Sequence, residues 1–372
     1  MKTKVLYLGA STSGGVSIYI SNLIKNIENI SFYIPNENTK SYLKMKNLYQ
    51  NTVIFDFNQN YTLKTLFSKA KELDVFIKKN GIDIIHAHVL RFGLLGAIYK
   101  KYFNNNIKLI YTGHGSRYLQ KNKKHEKWLF KKIELFINSI SDKVVFIREL
   151  EYKESIENKL LPIKKAVIIK TQIKLDIKEN NTFSIRKKYH ISTKNIVAMV
   201  GSVYEIKNPF LFCHIAEEVL KKRKDTTFLW IGDGPMLPEM NEYIKSKKLN
   251  NIKFIGSIDY QDIKDAWNAI DVLLLTSKIE IFPLILLEAY QNKSLVLSTN
   301  YLGVAEVIKN GFTGYIYNMN DVKEASDLLN NIFSYENITQ LITNNAKSYY
   351  HDNFENITEM SSKHTQIYKE IL

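Results

Sequence analysis

Cysteine is almost absent: Cys213 stands alone among 372 residues, so no intramolecular disulfide can form and a reducing compartment is expected. Long apolar runs are missing too, and no stretch approaches the roughly 18 uninterrupted apolar residues of a membrane span. The apolar opening, Val5 to Ala10, is cut off by Ser11-Thr12-Ser13-Gly14-Gly15 and is too brief for the core of a secretory signal. Neither short repeats nor low-complexity tracts occur. These absences lead to the expectation of a cytoplasmic protein.

What is present is ordinary globular composition, 45% apolar and 24% charged. The length exceeds the roughly 250 to 300 residues at which one core stops growing, so two domains are expected. The net charge of +15 is unevenly spread. Residues 1–170 hold 29 Lys and Arg against 13 Asp and Glu, whereas 171–372 hold 23 against 24. A basic half suggests a polyanionic partner, either nucleic acid or an anionic lipid surface. General lysine richness is the plainer alternative.

Val5 to Ala10 followed by the glycine loop and the helical spacing of Ile20, Leu23, Ile24 and Ile27 reads as strand, loop and helix. Short apolar runs recur at Ile82 to Ile85, Lys108 to Tyr111, Lys143 to Ile147 and Ala166 to Ile169. A second series follows at Ile196 to Val200, Thr227 to Ile231, Asn251 to Ile255, Asp271 to Thr276 and Ser294 to Thr299. Short buried strands alternating with helices indicate parallel, doubly wound α/β sheets, two of them, facing each other across a cleft. The polar stretch from Thr171 to Thr193 marks the boundary. The expected domains are 1–175, joined by a C-terminal helix at about 350–372, and 176–349. The tail from Ala346 to Leu372 reads as helix.

Ser277 to Ala289 joins a buried strand to a helix starting near Pro283. The free N–H groups and partial positive charge of a helix start suit a diphosphate. Glu280 would lie in the loop, and Glu288 about five residues into the helix, roughly 7.5 Å along its axis, within reach of a ribose. An ordinary helix with solvent-facing glutamates is the competing reading.

Glu280 and Glu288 form a Glu-x7-Glu pattern, and the chain resembles the retaining glycosyltransferases of GT-B fold, family 4. The resemblance also includes Gly14-Gly15, Asp83-Ile84-Ile85-His86-Ala87-His88, Gly201 with Lys207-Asn208, Gly232-Asp233-Gly234-Pro235, and Gly303, Glu306 and Gly311, all in the family's order. It implies two Rossmann-like domains, with the acceptor on the first and the nucleotide sugar on the second. It further implies donor contacts from Gly14 and Gly15, His114 beside the transferred sugar, and Lys207 on the diphosphate. Glu280 would lie at the sugar, main-chain N–H groups of Phe282, Leu284 and Ile285 at the donor, and Glu288 at the ribose.

Two departures stand out. Ser202 occupies a position where the family usually has arginine, which leaves Lys207 without its partner cation unless Arg117 or Arg148 enters. Ile281 stands where glycine is common, and a branched residue does not easily adopt φ > 0. No Asp-x-Asp clamp occurs, so no metal or other cofactor is expected. His86 and His88 are two apart on one strand and could share one face, but without a third ligand nearby they are expected to be structural or to support residues of the site rather than to bind zinc.

Between Lys121 and Ile137, Trp128, Leu129, Ile133, Phe136 and Ile137 recur at helical spacing beside dense lysine. That composition suits an interfacial membrane helix or a core helix with a solvated basic face. The expected activity is transfer of a hexosyl or N-acetylhexosaminyl group from a UDP-sugar to a glycan or lipid-linked acceptor of the bacterial envelope, at the inner face of the cytoplasmic membrane. A UDP-sugar epimerase of similar architecture and a non-catalytic relative are the alternatives. No nucleic-acid-binding signature is present.

Overall fold

The computed structural model describes residues 3–9, 14–35, 52–55, 62–116, 118, 123–174, 184–259, 262–263, 266–280 and 283–372. The chain divides into two compact units, Met1–Lys174 with Asn356–Leu372, and Leu175–Glu355.

In the first unit, seven parallel strands run β1 (Val5–Leu8), β2 (Ile30–Pro35), β3 (Thr52–Phe55), β4 (Ile84–His88), β5 (Lys108–Thr112), β6 (Lys143–Phe146) and β7 (Ala166–Ile168). Their spatial order is 3-2-1-4-5-6-7. In the second, β8 (Asn195–Val200), β9 (Thr226–Ile231), β10 (Ile252–Phe254), β11 (Val272–Leu275), β12 (Leu295–Thr299) and β13 (Tyr315–Tyr317) lie in the order 10-9-8-11-12-13. Each order reverses direction once, between β1 and β4 and between β8 and β11. Such a switch point opens a crevice beyond the carboxyl ends of the strands, where ligands of open α/β sheets bind.

Sequence explains the strands' place. β1 and β8 are buried along their whole length, as apolar runs covered on both faces must be. One face of the first sheet packs Leu6, Leu8, Ile85, Leu109 and Phe92 into a single core; the other packs Val5, Tyr7, Ile84, Ile110 and Val145. Strands β2, β3 and β13 were not anticipated.

The tail is two helices, Glu336–Phe354 and Ile357–Glu370, rather than one. Asn356 breaks it: its side chain caps the Glu359 N–H at 3.0 Å, an Asn-x-x-Glu start to a new helix. Only the second helix belongs to the first unit, where Met360, Ile367 and Tyr368 join the Val5–Tyr7 core and the Ser361 hydroxyl donates to Leu23 O at 2.8 Å.

Candidate active site

In the second unit two turns at the carboxyl ends of β8 and β9 interlock. Val203 N–H donates to Asp233 O at 2.9 Å, and the Trp230 indole N–H donates to Gly201 O at 2.8 Å. Gly232 has φ 148°, and a Cβ there would lie 2.0 Å from Gly201 O, so only glycine lets the turns meet. Exposed Ser202 sits at this junction.

The β8 turn continues into a short 3-10 turn, Glu205–Lys207, which is bound to the loop after β11. Lys278 N–H donates to Ile206 O at 2.8 Å, and the Thr276 hydroxyl donates to Lys207 O at 2.7 Å. Two crossed ion pairs complete the seam: Lys278 with Glu205 at 3.0 Å and Lys207 with Glu280 at 2.5 Å. The second is much the better shielded, its side chains 24% and 10% exposed, against 41% and 84% for the first. The Ser277 hydroxyl donates to the same Glu280 oxygen at 2.6 Å. Ser277 is itself fixed, since its carbonyl accepts the Thr299 hydroxyl at 2.7 Å.

Pro283 is the N-cap of the helix Leu284–Gln291, one position earlier than the first helical residue expected of it. As in any helix start, the first-turn N–H groups, those of Leu284 and Ile285 among them, lack an intrahelical acceptor. Glu288 is the fifth residue of this helix and is 9% exposed, not solvent-facing, and its Oε2 accepts the Trp267 indole N–H at 3.1 Å. Phe282 and Ile281 lie outside the described residues.

The first unit holds the other expected residues. Gly14 and Gly15 open the helix Gly14–Leu23, on which Tyr19 packs edge-on against His114, with centroids 4.9 Å apart. His114 follows β5 with φ 51°, a left-handed conformation uncommon for a side-chain-bearing residue. Its Nε2 lies 2.9 Å from His88 Nδ1. Behind it are His86 and His88, both wholly buried, so the strand pair is interior. His86 contacts the Tyr368 hydroxyl and the Thr112 hydroxyl, each at 2.8 Å. His364 Nε2 meets the Tyr19 hydroxyl at 2.8 Å, and Tyr7 meets Tyr368 at 2.7 Å. Burial pushes His114 and His364 down to about 3, and holds His86 and His88 well below the usual imidazole range, so these rings are neutral.

Arg148 is buried and precedes the helix Glu149–Glu157; Arg117 lies outside the described residues. The basic helix spans Lys124–Ile140, so Lys121 and Asn122 fall outside the described residues as well. Ile137 is buried, but Trp128 and Leu129 are 62% and 51% exposed rather than turned to the core. No group of three or more potential metal ligands occurs among the described residues, and no helix is long and apolar enough to cross a membrane.

Sequence reading missed Ser277, Trp267, Tyr19, His364 and Tyr368. Ser277 stands three residues before Glu280 and could have been suspected; the others arrive from distant segments.

Residues 181–349 match the family described as Glycosyl transferases group 1, and residues 4–147 match Glycosyl transferase 4-like. An uncharacterized glycosyltransferase of Methanocaldococcus jannaschii is 21% identical over 90% of this chain and 89% of its own length. The UDP-Gal:alpha-D-GlcNAc-diphosphoundecaprenol alpha-1,3-galactosyltransferase of Escherichia coli is 25% identical over 70% of this chain and 67% of its own. Among solved structures, Anabaena HepE in complex with UDP-glucose superposes with a TM-score of 0.84 at 16% identity, over 99% of this chain and all of that one.

Proposed function

Since the chain belongs to the group 1 glycosyltransferases and has the GT-B fold, we propose that it is a retaining enzyme using a UDP-hexose or UDP-N-acetylhexosamine. The acceptor is a lipid-linked or lipid-attached glycan of a bacterial envelope. The observation that carries this reading is the Lys207–Glu280 pair just before the helix Leu284–Gln291, on which the buried Glu288 lies. The helix N–H groups and Lys207 would hold the diphosphate, Glu288 the ribose, and Glu280 the sugar.

Lys207 pairs with Glu280, so a diphosphate would compete with Glu280 for the ammonium. The phosphate oxygen released on departure can take the acceptor's proton, and no side-chain nucleophile is then needed. Gly14, Gly15 and His114 would serve the sugar and acceptor side. Ser202 contributes a hydroxyl or backbone contact in place of a guanidinium. No metal is assigned a role, and turnover should survive EDTA. The E. coli relative's name supports a UDP-linked donor and a lipid-diphosphate acceptor, and the UDP-glucose complex of the Anabaena neighbour supports the same donor class.

The enzyme would work at the inner face of the cytoplasmic membrane, with the Lys124–Ile140 helix at the lipid surface. Its exposed Trp128 and Leu129 stand among Lys124, Lys127, Lys131 and Lys132, and Lys132 lies 5.8 Å over the Trp128 ring.

The test is a thermal-shift screen of UDP-, GDP- and ADP-sugars followed by mass spectrometry of the product formed on isolated lipid-linked glycans. Stabilisation by UDP-sugars and a mass gain of one hexose or N-acetylhexosamine are expected, with turnover strongly reduced in Lys207→Ala and Glu280→Ala. An epimer formed from UDP-sugar alone would favour an epimerase instead.

A further inference from the structure

His88 is wholly buried, and its two ring nitrogens have unequal surroundings. Nδ1 faces His114 Nε2 at 2.9 Å, while Nε2 is buried with no hydrogen-bond partner among the described residues. The His88 ring is held in place: Tyr7 stacks on it at 5.2 Å with a 12° tilt, and the His86 ring lies 4.3 Å away.

A single proton bridges the two facing nitrogens, and it belongs to one ring or the other. If His114 donated from Nε2, neutral His88 would carry its own proton on Nε2, a buried N–H with no acceptor. If His88 donates from Nδ1, its unpartnered Nε2 is a bare lone pair, and neutral His114 carries its proton on Nδ1. Orphaned buried N–H groups are rarer than unfilled acceptors, so the second arrangement is preferred. A doubly protonated ring is excluded by the burial of both histidines, which holds each neutral.

We propose that His88 is a positioning residue for His114: its Nδ1–H fixes His114 in the Nδ1-protonated tautomer, so that His114 meets a sugar hydroxyl as a hydrogen-bond donor and not as a base. The proposal rests on the reading of His114 as the sugar-side residue. It gives the second histidine of His86-Ala87-His88 a function separate from the first. His86 is satisfied on both nitrogens by hydroxyl groups, whereas among the described residues the hydrogen bond of His88 goes to His114. His114 has a left-handed backbone, φ 51°, and the Tyr19 ring packs edge-on against its imidazole.

Multiple-bond 1H–15N correlation spectra of the 15N-labelled full-length protein at pH 7 read the tautomer directly. A protonated Nδ1 and an accepting Nε2 on His114 are expected; a protonated Nε2 would overturn the proposal without any variant being made. Turnover supplies the second readout. In His88→Asn the amide nitrogen occupies the place of Nδ1, and kcat should stay close to that of the parent protein. In His88→Leu the donor is gone, and kcat should fall about tenfold or more with a smaller change in donor KM. Parental kcat in a folded His88→Leu protein would refute the positioning role. Full turnover in His114→Ala would instead remove the sugar contact on which the proposal rests, while the tautomer result would stand by itself.

Discussion

Glu280 is held by an ammonium and a hydroxyl on the same oxygen, from Lys207 and Ser277. Removing the hydroxyl should loosen the carboxylate without stripping its charge partner. Ser277→Ala is therefore expected to lower kcat about tenfold, and Lys207→Ala about 100- to 1000-fold, the usual range for losing one stabilising donor at developing charge. Steady-state kinetics on UDP-sugar checks the order, and an equal loss in both variants would contradict it. The glutamate pair was legible because its spacing lies within one loop and helix. Trp267 was not, since it reaches Glu288 from 21 residues earlier and nothing local marks an indole as a carboxylate's partner. His86 and His88 were legible as a pair on one strand, but their partners, Thr112, His114 and Tyr368, are supplied by the fold.

The helix Ile357–Glu370 is tied to the first sheet through a polar core: Tyr368 to Tyr7 and His86, and His364 to Tyr19. Four histidines there are neutral when folded and have values depressed by burial, to about 3 for His114 and His364. Their unfolded values lie near 6.5, so between about 6.5 and 3 the unfolded chain binds more protons than the folded one. The contribution of these rings to stability is complete above pH 6.5 and shrinks as pH falls. Hydrogen exchange from pH 7.5 to 5 should show residues 357–370 losing protection before β8–β12 do; uniform protection down to pH 5 would argue against the account. The strands' apolar runs made the sheets legible. The strands Ile30–Pro35, Thr52–Phe55 and Tyr315–Tyr317 were not, although runs as short were read elsewhere in the chain. The break at Asn356 had a readable signal, Asn-x-x-Glu, but the helical pattern on either side concealed it.

Across the whole molecule the positive charge is concentrated in the first 170 residues. Charge division foretold that asymmetry but not its use, since a lysine-rich helix with Trp128 and Leu129 reads the same whether those side chains face a core or the solvent. Both side chains are exposed, and the proposed lipid surface would cover them. Vesicles containing anionic lipid should bind the protein, high salt should weaken binding, and Trp128→Ser with Leu129→Ser should reduce it further; equal partitioning onto neutral vesicles would count against the electrostatic part. RNA should not compete at physiological salt.

Lys207 and Glu288 are proposed to belong to one nucleotide-sugar site at the start of the helix Leu284–Gln291. Calorimetric titration with UDP tests it most directly. One binding site is expected in the parent protein, with affinity falling about tenfold or more in both Lys207→Ala and Glu288→Ala. Parental UDP affinity in folded samples of both variants would contradict it.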